Sequence, residues 1–375
     1  MKVPVVLMRG GTSKGVFLNF EDMPADQLLW DEFLLDIMGS PDRRQIDGLG
    51  GANSLTSKAA IIKKANLEEI DVEYTFAQIS IENQLVDFKG NCGNISSAVG
   101  PYAIEQGLVP AIEPITRVRI FNTNTQKIII AEVEVENGRV KTEGMCSIPG
   151  VPGTGSPIYL SFTNADGAVT GKLFPTGNEK DVIQTPRGPI EVSIVDVANP
   201  LVFVNAKDVG LNGTELPHEF TPENLAELEE IRAAAAELCG FANKETATKQ
   251  SPAVPKMTLI APPLDYIDVT GTPRSASEMD CTIRMMSMQK PHQALAITGA
   301  ICTTSCAYLK DTILSDFITV QNEVFRLGHP AGIMQTKTDI IAGHIRAIKV
   351  VRTARIILDG YVYTKKNYAV TGMLA

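Results

Sequence analysis

"GNCGNISSAVG", residues 90–100, sets a cysteine between two Gly–Asn pairs, just ahead of a run of small residues. Asn91 and Asn94 flank Cys92 and Gly93, and Ser96, Ser97 and Ala98 follow. A free cysteine usually prefers apolar company in a core. Here it stands among residues that bend the backbone and expose N–H groups. The pattern predicts a helix from about Gly93 to Gln106, stopped at Gly107, with Cys92 at its first turn. A thiol in that position has its thiolate favoured, and the free N–H groups of a helix start can receive an anion. The competing reading is a small residue filling a tight turn, and on these residues alone the two weigh about evenly.

Outward from this stretch, strand signals dominate: "VPVVLM", "GVFLNF", "YTFAQISI", "RVRIF", "IEVSIVDV", "LVFVNA" and others, short, β-branched and punctuated by Gly, Asn or Pro. Asn137–Gly138 between alternating runs is a hairpin signal. Further helices are expected over 26–38 and over "PENLAELEEIRAAAAEL", with Thr221 as cap and Pro222 in the first position. Another is expected over "SASEMDCTIRMMSMQ", where Ser275 and Glu278 read as a capping box. A weaker candidate covers 300–314. Residues 144–180 are rich in Gly and Pro without a sustained period, which predicts two domains, 1–180 and 181–375, with the last strand free to cross back to the first. Each half then carries several strands and a helix opening with a cysteine beside small polar residues, "GNCGNISSA" and "AICTTSCA". If that echo is a repeat, two helix N-termini face one cleft and suit a small molecule with two carboxylates.

At 375 residues the chain is too long for one ordinary core. A net charge of −9 argues against a general nucleic-acid surface. No stretch approaches the ~18 apolar residues of a membrane span, and "MKVPVVLMRG" breaks at Arg9 before a signal peptide could develop. Six scattered cysteines without a C-x-x-C pair, and four dispersed histidines, give no zinc site, metal cage or disulfide framework. A cytoplasmic protein with reduced thiols is expected. Neither a phosphate loop nor a dinucleotide fingerprint is present. No cofactor, metal, membrane or nucleic acid is therefore expected; a homo-oligomer is left open.

Several other residues could carry chemistry. Lys58, in "GGANSLTSKAAII", precedes four apolar residues. Desolvation at the mouth of a buried strand would lower its pKa toward that of a usable base; an edge lysine reaching solvent is the plainer reading. "MRGGTSKG", residues 8–15, is either an ordinary hairpin turn or a carboxylate-binding turn using Arg9, Thr12 and Ser13. "GHPAG", residues 328–332, is a compact turn in which His329, with Gly328 and Gly332, could orient a carboxylate, or an incidental turn. Cys302 stays open, and Cys306 reads as core.

Taken together and in order, "MRGGTSKG", "IDGLGGANSLTSKAAI", "GNCGNISSAVGPYAI", "SIVDVANP" and "GHPAG" resemble the PrpF-type family over nearly the whole chain. That family includes methylitaconate and methylaconitate Δ-isomerases and is related to oxalomesaconate tautomerases. The resemblance implies the α+β diaminopimelate-epimerase-like fold: two similar domains, each a curled mixed sheet around a central helix, with the active site in the cleft between them. It also implies cofactor-independent movement of a C=C bond in a small unsaturated di- or tricarboxylate. The lysine of its T-S-K motif matches Lys58, and the cysteine of G-N-C-G-N matches Cys92. Asn91, Gly93 and Asn94, with the turns at Arg9, Thr12 and Ser13 and at Gly328, His329 and Gly332, would hold the substrate. Epimerases of the wider superfamily use two cysteines, and Cys302 falls about where the second would lie; it is left out of the catalytic set. The alternatives are a two-base epimerase using Cys92 and Cys302, and a non-catalytic carboxylate-binding protein.

Overall fold

The computed structural model of the protein describes residues 1–318, 323–341 and 344–373. The chain divides into two compact units: residues 1–161 with 351–375, and residues 162–350. The Gly-rich stretch after 161 belongs with the second unit because it wraps a buried carboxylate there. Asp196 accepts from the Val169 and Thr170 N–H groups, and its carbonyl accepts from the Gly167 N–H.

The first unit opens with an antiparallel hairpin of β1 (Lys2–Gly10) and β2 (Ser13–Asn19). Helix α1 (Trp30–Met38) follows, then the antiparallel pair β3 (Lys58–Leu67) and β4 (Ile70–Ile79). The short β5 (Val86–Asp87) leads into helix α2 (Gly93–Glu105), and β6 (Ile115–Asn122) and β7 (Lys127–Glu136) form a second antiparallel pair. Parallel pairings of β2 with β3 and of β4 with β6 join the pieces, and the last strand, Ala354–Tyr363, returns to pair with β1. Side chains alternate across each strand. Ala59, Ile61, Ala77 and Ile79 meet Phe33, Leu34, Ile37 and Met38 of α1 on one face. Lys58, Ala60, Tyr74, Phe76 and Gln78 therefore occupy the other, and on that side lies α2.

Helix α2 is buried on every side from Gly93 to Ile104 and touches β1, β2, β3, β4, β6, β7 and the last strand, so the sheet curls around it. Small residues allow that closeness. A Cβ at Gly100 would stand 3.0 Å from Val133 Cγ2 and 3.1 Å from Ala131 Cβ.

The second unit repeats this plan. Its strands are β8 (Asp181–Thr185), β9 (Gly188–Val197), β10 (Asn199–Asn205), β11 (Lys256–Ala261), β12 (Cys281–Ser287), β13 (Val324–His329) and β14 (Gly332–Ile341). From β9 onward each pairs with the next, and the directions run antiparallel, parallel, antiparallel, parallel, antiparallel. That is the series found along β1, β2, β3, β4, β6 and β7. Helix α3 (Pro222–Leu238) covers the face α1 covers in the first unit, starting at Thr221 with Pro222 in its first turn as the sequence predicts. Helix α4 (Ile297–Tyr308) is buried from Ile297 to Ala307 and is the counterpart of α2. The chain is thus α+β, two similar folds in tandem.

Two expected helices differ. Ser275 and Glu278 do form a capping box, but it caps a single 3-10 turn, Ala276–Glu278. The residues after it form β12, buried at every position between β11 and β13. Burial on both faces of a sheet overrides a local helix signal. The weaker candidate starts earlier than expected, at Ile297, which changes the place of Cys302. Among the described residues no helix is long and apolar enough to cross a membrane.

Candidate active site

The start of α2 is built from the stretch quoted first. Cys92 is the N-cap, with φ −121° and ψ 98°, and its side chain makes no capping bond. Asn91 fixes the turn: its Oδ1 accepts from the Cys92 N–H at 2.6 Å and from the Ser96 hydroxyl at 3.2 Å. The first-turn N–H groups at Gly93 and Asn94 have no partner inside the helix, and the aligned peptide dipoles make that end positive.

The β1–β2 turn is pressed onto this helix start. Gly11 has φ +50°, and a Cβ on it would fall 2.9 Å from Asn94 Cγ. The Asn94 Oδ1 accepts from the Thr12 N–H at 3.3 Å and from Arg352 Nε at 3.4 Å. Arg9 braces the turn from behind, its Nη1 donating to the carbonyls of Gly11 at 3.0 Å and Thr353 at 2.8 Å. Burial lowers the Arg9 pKa, and the positive charge of Arg355 lowers it further. Three polar atoms of this cradle, Thr12 Oγ1, Ser13 Oγ and Asn94 Nδ2, are buried with no partner among the described residues. Buried donors without partners cost free energy, and hydroxyl, amide and helix-start N–H groups together suit a carboxylate. Arg352 was not singled out from the sequence. It is buried, and burial brings its guanidinium down to about 10. Its only signal is a basic residue within the largely apolar run "AIKVVRTARIIL", residues 347–358.

Lys58 opens β3 on the face that α2 covers. It is 4% exposed. Its Nζ donates to Gln78 Oε1 and lies 5.4 Å from the centre of the Phe76 ring. Burial lowers its pKa, and Cys92 nearby acts in the opposite sense. Burial, with Cys92 adding to it, pushes the Tyr74 phenol well up. A buried lysine whose hydrogen-bond partner is an amide has the chemistry of a general base.

Arg9, Thr12, Ser13, Lys58, Asn91, Cys92, Gly93 and Asn94 all lie in the first unit, gathered around the start of α2. Gly328, His329 and Gly332 lie in the second, at the β13–β14 turn. There the Tyr266 hydroxyl donates to the carbonyls of His329 and Gly332, each at 2.8 Å. Arg284 Nη1 donates to the Gly328 carbonyl at 3.2 Å, and His329 Nδ1 accepts from the Ala331 N–H at 3.2 Å.

Cys302 is not at a helix start. It sits in the second turn of α4, is fully buried and donates to the Val195 carbonyl at 3.3 Å. Burial pushes its thiol well above the ordinary range. The residue that caps α4 as Cys92 caps α2 is Ala296. The second helix-start thiol expected from "AICTTSCA" is therefore absent, and with it the structural basis for a two-cysteine epimerase. Among the described residues no group of His, Cys, Asp or Glu could hold a metal ion.

The scaffold is epimerase-like, and the chain is an isomerase by its curated relatives. A hydroxyproline epimerase from Agrobacterium vitis has the same fold, with a TM-score of 0.54 at 11% identity, over 96% of this chain and 92% of that one. The chain belongs to the PrpF protein family, whose model matches residues 1–365. It is 49% identical over 372 residues to the 3-methylitaconate isomerase of Eubacterium barkeri, covering 98% of each chain. A solved methylitaconate Δ-isomerase matches with a TM-score of 0.78 and 48% identity, over 97% of this chain and 96% of that one.

Proposed function

We propose that this isomerase moves the C=C bond of a small unsaturated dicarboxylate of the methylitaconate type, in the cytoplasm and without a cofactor, with Lys58 as the base. The observation that carries the reading is the buried Lys58 amine, bonded to an amide and set beside Cys92 at the free end of α2.

The substrate class follows from the cradle. One carboxylate meets the N–H groups at Gly93 and Asn94 and the unpartnered donors of Thr12, Ser13 and Asn94. Neutral Lys58 takes a proton from the carbon that is allylic and next to a carboxylate. The electron pair left behind delocalises directly into that carboxylate, forming a dienolate, and through the double bond onto the far carbon. Donors fixed in advance stabilise this charge as it develops. The proton is then placed two carbons away, and the double bond has moved. Cys92 assists, by delivering a proton or by orienting the substrate. A methylitaconate carries two carboxylates and a methyl group; the 49% identical relative named for that substrate favours it over tricarboxylates.

The test is incubation with methylitaconate in deuterium oxide, followed by proton NMR. Migration of the double bond with deuterium at the newly protonated carbon is expected. Exchange at a stereocentre without bond migration would favour epimerisation instead, and binding without exchange would favour a carboxylate-binding protein.

A further inference from the structure

Lys58 has a hydrogen-bond partner that the sequence reading did not weigh. Gln78 pairs with Lys58 across the β3–β4 ladder and is equally buried, at 4% exposure. Its Nε2 donates to the carbonyls of Ser54 at 3.2 Å and Ser57 at 3.1 Å. Carbonyls only accept, so the amide nitrogen must face them and the amide oxygen must face Lys58 Nζ. The flip state that is often ambiguous for glutamine is fixed here by its partners.

We propose that Gln78 is a positioning residue for the base: locked by two backbone carbonyls, it offers the Lys58 amine a neutral acceptor where a carboxylate would be a counterion. This rests on the reading of Lys58 as the base. A carboxylate in the same place would pair with the ammonium and hold the proton on it. An amide aims the nitrogen and stabilises its charged form less than a carboxylate would, so burial still lowers the Lys58 pKa.

Other groups share this environment. Cys92 faces Lys58 from α2. Tyr74 shares the inner face of β4 with Phe76 and Gln78. Asp87 of β5 pairs with Gln78, and its Oδ1 accepts from the Lys89 N–H at 2.8 Å. Lys14, whose N–H bonds the Leu55 carbonyl, reaches the loop at Gly51. All of them stay in place when Gln78 alone is changed, so a shift can be assigned to the acceptor.

The experiment titrates Lys58 directly, by carbon-13 NMR of the full-length protein carrying lysine labelled at Cε, with the resonance assigned by Lys58→Arg. In Gln78→Glu the Lys58 titration should rise by about 1 to 3 pH units. The acid limb of kcat/KM for methylitaconate should rise with it, and turnover near neutral pH should fall by roughly 10- to 1000-fold. Gln78→Met, which removes the acceptor without adding charge, should leave the titration low and reduce kcat more than it raises KM. An unshifted Lys58 titration in folded Gln78→Glu, or wild-type kcat in Gln78→Met, would overturn the proposal. If the titration moves and the activity limb does not follow, the hold of Gln78 on Lys58 stands and the assignment of Lys58 as the base falls.

Discussion

Replacing Gly11 with alanine tests whether the β1–β2 turn is the carboxylate cradle. Gly11 has φ +50°, a left-handed conformation that costs an alanine about 1–2 kcal/mol. The added Cβ would fall 2.9 Å from Asn94 Cγ and 3.2 Å from Arg352 Cδ. The Asn94 amide must therefore swing away from the turn. It then gives up the bonds to its Oδ1 from the Thr12 N–H and Arg352 Nε, adding about 1–2 kcal/mol to the destabilisation. The larger effect falls on the substrate. With Asn94 displaced and the turn lifted, at least one hydrogen bond to the carboxylate is lost. A bond to a charged group contributes about 1.5–3 kcal/mol, which corresponds to a rise in KM of roughly 10- to 150-fold. Lys58 and Cys92 are not touched, so kcat should change by only a few-fold. Steady-state kinetics on methylitaconate would measure both, alongside a thermal melt to show that the variant is folded. A folded Gly11→Ala protein with unchanged KM would refute the cradle.

Three further outcomes are expected. Cys92→Ser should lower turnover but leave measurable activity if the thiol assists; a loss of several orders of magnitude in steady-state kinetics would instead make it the sole base. Cys302→Ala should keep near-wild-type kcat, because that thiol is buried inside α4 and bonded to the Val195 carbonyl; abolished turnover in a folded variant would restore the two-base epimerase. Lys58 is held below its ordinary pKa by burial, so between its folded value and the unfolded value near ~10.4 the unfolded chain binds more protons. Its penalty to stability therefore shrinks as pH rises through that window, by at most about 1.4 kcal/mol per pH unit. Denaturant melts should show the stability gap between Lys58→Met and wild type narrowing from pH 7 to pH 10, and a pH-independent gap would contradict the depressed amine.

The parts legible in the sequence were those fixed by neighbours along the chain. The asparagines and glycines around Cys92 mark the start of α2 because they act within one turn of it. Thr221 and Pro222 mark the start of α3 for the same reason. The Ser275–Glu278 box was read correctly as a cap and wrongly as a long helix, because the burial that makes β12 a strand comes from β11 and β13. Cys302 was placed by its small polar neighbours, yet the repeated strand order puts Ala296 at the position matching Cys92. Arg352 and Gln78 were not legible as site residues. Arg352 meets Asn94 across 258 positions of sequence, and Gln78 reaches Lys58 through the register of β3 on β4. Both placements are made by strand pairing, which a local pattern does not encode.

Lys58 as the carrier of the proton is tested most directly by turnover of methylitaconate by Lys58→Ala and Lys58→Arg. Circular dichroism and thermal melts would establish that both are folded. Loss of the base should cost on the order of 10²- to 10⁴-fold in kcat. Arginine should fail as alanine does, because a guanidinium does not give up its proton in this pH range. Turnover near the wild-type rate by either folded variant would contradict the account.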